Sequence, residues 1–437
     1  MRRAVWWLGG CQCVFWGVLY YGFSVALRPL ELSLGVSRSL VAGAFSLGLL
    51  TMALLAPQIG RWLDQGHGVA IVRIGAALAI AGLLGLSQVG QAWQLYAVWA
   101  VLGLAMAALL YESAFALVSR AFTAAAQRLH ALAVVTVMGG LASTVFLPVL
   151  ALVTEHAGWR AAQVFGAGAV LLAAVAMERC VLPVLPQHAI PCAAPQSPRE
   201  SRRDLRFLIL AASFASATVA SMAVTTLLIP MLLDRSVDAS IAATTLATLG
   251  IAQLPGRLWM LRAGAAPSAR SFAMLPLVLQ AAGLLGIAIS PNLAWTAAGV
   301  GLFGLGSGLH TLARPWMVLR LYGVHCSGYW NGQLARIQGF GRALGPLLAV
   351  GLAVVSTAPA VLAGLSAVLL LLALINRALL RESTEQSQQN AEDGCVDGQI
   401  ANARPGPNDA NVRETSLCLK AKADTAPRPS AGRPSDH

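Results

Sequence analysis

The chain reads as an all-α membrane protein of twelve transmembrane helices in two six-helix bundles. Three observations lead there. Hydrophobic residues make up 57% of the 437 positions and charged ones 11%, with a mean hydropathy of +0.68. Water-soluble domains carry far more charge than this. Apolar runs of roughly 20 residues, the length that crosses a bilayer, recur twelve times. They also fall into two sets of six on either side of a polar gap.

The first set covers 5–27, 39–60, 69–89, 93–118, 130–154 and 160–182. The second covers 207–233, 240–261, 270–290, 293–318, 330–354 and 358–380, with Arg314-Pro315 expected to interrupt the tenth run. The run after Met1-Arg2-Arg3 is too long for the core of a signal peptide and is expected to stay as a helix. The gap contains several prolines and the cluster Arg199, Arg202, Arg203 and Arg206, the composition of a flexible connector. Beyond Arg381 the chain is polar and has no apolar period. The expected organisation is a bundle at 1–183, a cytoplasmic linker at 184–206, a second bundle at 207–381 and a disordered cytoplasmic tail at 382–437.

The formal net charge is +12. The basic residues do not line one helix between aromatics, so no nucleic-acid partner is expected. They gather at the ends of the apolar runs instead. Arg2, Arg3, Arg61, Arg73, Arg120, Arg128 and the central cluster fall on one side of the bilayer, and Arg28, Arg38, Arg160 and Arg235 on the other. Positive charge favours the cytoplasm, which places both termini there, in the plasma (inner) membrane. Seven cysteines include no Cys-x-x-Cys, so packing roles are expected rather than a disulfide framework or a metal site. No phosphate loop or dinucleotide fingerprint is present, and no cofactor or direct ATP drive is expected.

The stretch from Ala56 to Gly68 separates two apolar runs and reads as a tight polar hairpin at the membrane surface. Gly60, Gly66 and Gly68 would let it turn, and Arg61 and Asp64 would mark the water boundary. A fainter echo, Gly256-Arg257, suggests a duplicated unit. Gly60-x-x-x-Asp64 with a following glycine resembles the signature between helices 2 and 3 of the major facilitator superfamily of transporters. Gln65 and Gly68 stand where that signature has basic residues. The resemblance implies the major facilitator fold, transport rather than enzymatic chemistry, and alternating access by two rocking bundles. Asp64 would then sit at the cytoplasmic start of the helix at 330–354, whose free N–H groups favour an anion. Gly60, Arg61, Asp64 and Gly66 are thus candidate gate residues; the bland reading of Asp64 is a solvated loop carboxylate.

An ionisable residue inside a membrane span points to function, because burying it is costly. Gln253-x-x-x-Arg257 puts an amide and a guanidinium on one helix face. This resembles helix 8 of the monocarboxylate transporters and their bacterial oxalate/formate relatives, as Tyr20–Glu31 and Gly35–Ser39 resemble the helix 1–2 region of that group. The resemblance implies that Arg257 meets a substrate carboxylate, for which a guanidinium fork is suited. Gln253 replaces the acidic residue of the proton-coupled members, and Tyr21 is the nearest candidate for their helix 1 lysine. By analogy with the oxalate transporters, Arg342 or Arg336 in helix 11 would supply a second cation. A gate role mirroring Arg61 competes for Arg257, and its depth would also allow snorkelling.

Glu112 and Arg314 occupy equivalent places in the two halves. Two readings stand for Glu112, a proton carrier or a permanent partner of Arg314 or Arg342. Ser307 and His310 invite an intramembrane protease reading, but their spacing on one helix does not align a nucleophile with a base. The sequence therefore points to a secondary active transporter of a small organic anion, a mono- or dicarboxylate. It would be a symporter or antiporter, monomeric in the lipid bilayer. Efflux of drugs or other small molecules, and a non-transporting sensor on the same fold, are the alternatives.

Overall fold

The computed structural model describes residues 1–122, 124–184, 204–262, 269–323 and 326–378. The connector expected at 184–206 lies mostly outside these residues, and the tail at 382–437 lies wholly outside them. Every regular element among the described residues is a helix. In chain order these are α1 Arg2–Leu34, α2 Arg38–Asp64, α3 Gly68–Ser87 and α4 Ala92–Ala121. A long stretch follows that Gly158, at φ 84°, divides into α5 (125–157) and α6 (159–181). After the connector come α7 Leu205–Leu233, α8 Ala239–Arg262, α9 Ala269–Ala288, α10 Leu293–Tyr322 and α11 Ser327–Val355. The last is α12 Ala358–Ala378. Eight of these stretches, with 126–181 counted once, are long and apolar enough to cross a bilayer.

Large apolar side chains cover the outside of the helices. Leu172, Ile251 and Leu347 are each at least 70% exposed, a surface suited to the hydrocarbon of a bilayer. Inside, small residues let helices touch. Gly103 of α4 meets the backbone of α2 at Gly48, and Gly283 of α9 meets α10 at Gly299 and Phe303. Lipid supplies no hydrophobic drive between helices, so such close contact is what holds them together.

Three local expectations need correction. Gly60 is not in a turn. It lies within α2, which runs on to Asp64, and only Gln65, Gly66 and His67 form the loop, with Gly66 at φ 90°. A Cβ on Gly60 would collide with the backbone carbonyl of Gly328 in α11, so this glycine serves close approach. The helix α10 passes through Arg314-Pro315 without interruption. Finally, Cys11, Cys13 and Cys180 are free, whereas Cys326 is disulfide-bonded.

The helix α1 departs from regular geometry. Its Trp16–Tyr21 segment is a π-helical turn, a feature that accommodates one extra residue and often marks a functional position.

Candidate functional site

The helices α2 and α11 pack along one half of their length. Gly332 meets the backbone of Ala56, and Gly339 meets Ala53. At the end of this seam Asp64 is 3% exposed, not a solvated loop carboxylate. It accepts the backbone N–H of Gly328 at 3.0 Å and of Tyr329 at 2.8 Å. Both donors belong to the first turn of α11, where N–H groups have no partner within the helix. Arg61 lies over the Tyr329 ring at 4.7 Å, and Arg120 of α4 donates to the carbonyl of Leu63. In the sequence Arg120 shows only as a charge at a helix end.

Above this closed end, helices from both halves of the chain surround a cavity of about 250 Å³. From the first half, α1 contributes Trp16, Tyr20 and Tyr21, and α4 contributes Tyr111 and Glu112. From the second half, Gln253 and Arg257 come from α8, His310 and Arg314 from α10, and Gln338 and Arg342 from α11. Tyr21, Gln253, Arg257, Arg342, Glu112 and Arg314 thus meet in one space. Arg336 does not join them. It is partly buried on α11 and is absent from the lining. Six residues separate it from Arg342, about 120° around a helix, so the two cannot share a face.

Arg257 is 5% exposed and does not snorkel to the surface. Its guanidinium donates to the Thr136 carbonyl at 3.0 Å and to Gln253 Oε1 at 2.9 Å. Gly140 of α5 makes room for it, since a Cβ there would overlap Arg257 Nη1. The Nε of Arg257 is buried without a hydrogen-bond partner. Arg342 makes no hydrogen bond or ion pair among the described residues.

Arg314 has partners. It donates to Glu112 Oε1 at 3.1 Å and to Gln338 Oε1 at 2.8 Å, and Gln338 reaches Thr218 Oγ1 at 3.3 Å. The Glu112–Arg314 ion pair is buried, with side-chain exposures of 5% and 7%. The second oxygen of Glu112 and both ring nitrogens of His310 are buried and unpartnered. His310 is 7% exposed and meets Phe214 edge-on at 4.3 Å.

One spacing in the sequence would have found most of this site. Three times within the apolar runs of the second half a glutamine or histidine precedes an arginine by four positions: Gln253/Arg257, His310/Arg314 and Gln338/Arg342. Only the first pair carries a family resemblance. Each repeat places two polar groups one turn apart on a helix face, here the face toward the cavity.

The family profile of the Major Facilitator Superfamily matches residues 8–262, more than half of the chain. The chain belongs to the major facilitator superfamily. Family and fold are those of transporters rather than enzymes, working in lipid on small molecules. Among solved structures, the crystal structure of the human organic anion transporter MFSD10 (TETRAN) superposes with a TM-score of 0.67. The match covers 86% of this chain and 99% of that one at 15% identity, a likeness of fold alone. No curated protein matches the sequence.

Proposed function

We propose that this superfamily member is a secondary active transporter of a small organic carboxylate. The observation that carries the reading is the charge balance of the cavity. Three guanidinium groups, Arg257, Arg314 and Arg342, face one carboxylate, Glu112, which leaves a surplus of two positive charges. Glu112 and Arg314 already neutralise each other, so Arg257 and Arg342 are the cations open to cargo. Arg257 keeps an unused donor. Arg257 is buried and Arg342 partly so; burying charge without a counter-ion is expensive, and an anion between these two groups relieves it.

In this reading Gln253 orients Arg257, Tyr21 lines the path of the cargo, and Glu112 with Arg314 forms the coupling pair. The Gly60–Gly66 motif is the gate, with Asp64 holding the cytoplasmic end shut on the first turn of α11. The two bundles are 1–183 and 207–381, the termini face the cytoplasm, and the protein works as a monomer in the plasma membrane of a bacterium. The pair of cations also supports the likeness to the monocarboxylate and oxalate/formate group.

The test is uptake into proteoliposomes. Arg257→Ala and Arg342→Ala are expected to abolish carboxylate flux without loss of folded protein. Flux that persists in both variants would remove the anion site.

A further inference from the structure

The cavity has two unlike walls. The wall from α1 and α4 is aromatic. Trp16 lies 4.7 Å from Tyr111 and 5.2 Å from Tyr20, and Tyr20 lies 5.2 Å from Tyr21, all as ring centroids. The opposite wall, from α8, α10 and α11, carries Arg257, Arg342 and His310. A cargo such as oxalate would satisfy the cations and leave four rings idle. An apolar drug would suit the rings and leave the cations unpaired.

The unpartnered atoms sharpen this. Trp16 Nε1 is buried without a hydrogen-bond partner on a side chain only 9% exposed, and so are both ring nitrogens of His310. Buried polar atoms normally find partners. Both residues line the cavity, so these are the groups that a bound molecule drawing their side chains toward it would complete. Trp16 offers a donor, whereas His310 offers one donor and one acceptor in its neutral form.

We infer that the cargo is an aromatic monocarboxylate carrying a ring hydroxyl. This rests on the carboxylate reading above and narrows it. The carboxylate lies with Arg257 and Arg342, the ring stacks on the aromatic wall, and the hydroxyl bonds His310. Aromatic pairs gain from offset or edge-on contact beyond the area they bury, which a saturated ring of the same size cannot match. The cavity volume of about 250 Å³ suits a molecule of one ring.

The experiment measures affinity by isothermal titration calorimetry on the purified full chain, with 4-hydroxybenzoate, benzoate, cyclohexanecarboxylate and oxalate as probes. Affinity should fall in that order through the first three, with about fivefold between benzoate and cyclohexanecarboxylate. Trp16→Leu should erase the difference between those two. His310→Phe should erase the preference for 4-hydroxybenzoate over benzoate. Equal affinity of benzoate and cyclohexanecarboxylate in the unaltered protein would overturn the inference without needing any variant. Tight oxalate binding with no aromatic binding would overturn it and leave the carboxylate reading intact. Binding of none of the four, with heat released by neutral or cationic probes such as phenol or benzylamine, would overturn both.

Discussion

The carboxylate of Asp64 accepts the backbone N–H of Tyr329 at 2.8 Å, a contact between residues 265 positions apart. With the second bond from Gly328, it ties the end of α2 to the first turn of α11. The free N–H groups at the start of a helix attract an acceptor with negative charge, and both carboxylate oxygens are used here. Hydrogen bonds to a charged group contribute roughly 1.5–3 kcal/mol each. Asp64→Asn keeps one acceptor and loses the charge. The variant should open at this end about tenfold more often, the ratio that ~1.4 kcal/mol corresponds to. A cysteine replacing Ser221, in the cavity lining, would report this as faster labelling by an impermeant thiol reagent added on the Asp64 side.

Gly60 should give the same phenotype by a different cause. Alanine there would drive its methyl into the Gly328 carbonyl, and backbone cannot yield as a flexible side chain can. The expected result is loss of closure at the same end, with labelling as fast as in Asp64→Asn. Gly10→Ala, where nothing lies within 4 Å, is the control and should leave labelling unchanged.

The Glu112–Arg314 pair is open to a double-mutant cycle. Removing one member of a buried pair costs roughly 3–5 kcal/mol, because the other charge is left alone. The cavity beside this pair puts the loss at the low end of that range. Glu112→Gln should lower the thermal midpoint of the substrate-free protein by several degrees. Adding Arg314→Gln should restore part of it. A double variant less stable than the sum of the two single losses would contradict the pairing.

Gln253 holds Arg257 through a neutral oxygen at 2.9 Å, which leaves the guanidinium charge available. Gln253→Glu would place a carboxylate at the same distance and cancel that charge. Anion affinity should then fall at least about tenfold, read by calorimetry, as one opposite charge is lost to an internal pair. Arg257→Lys should also weaken binding, since an ammonium cannot bridge Thr136 and Gln253 and still present a fork to cargo.

The helical architecture of the described residues was legible because the bilayer dictates the length of an apolar run. The two uses of glycine were not separable in the same way. Turning the chain, as Gly66 does, and admitting a neighbour's backbone, as Gly60 does, need the same missing side chain. Arg257 and Arg336 show a second limit. Depth along a helix follows from the sequence, but which face meets the cavity is set by packing between helices. Thus Arg257, at a depth that permits snorkelling, turns inward, while Arg336 sits off the lining. The Asp64 partner was legible because helix ends attract opposite charge whatever their surroundings.

The π-helical turn at Trp16–Tyr21 has a consequence for sequence change in this chain. A single-residue deletion there would restore regular winding and swing the segment from Gly22 to Leu34 by roughly 100° relative to the start of α1. The tyrosines would lose their stations beside Trp16 while Arg257, Arg314 and Arg342 stayed in place. Insertions and deletions in this one turn can therefore retune which molecules are admitted, with no substitution at any charged position.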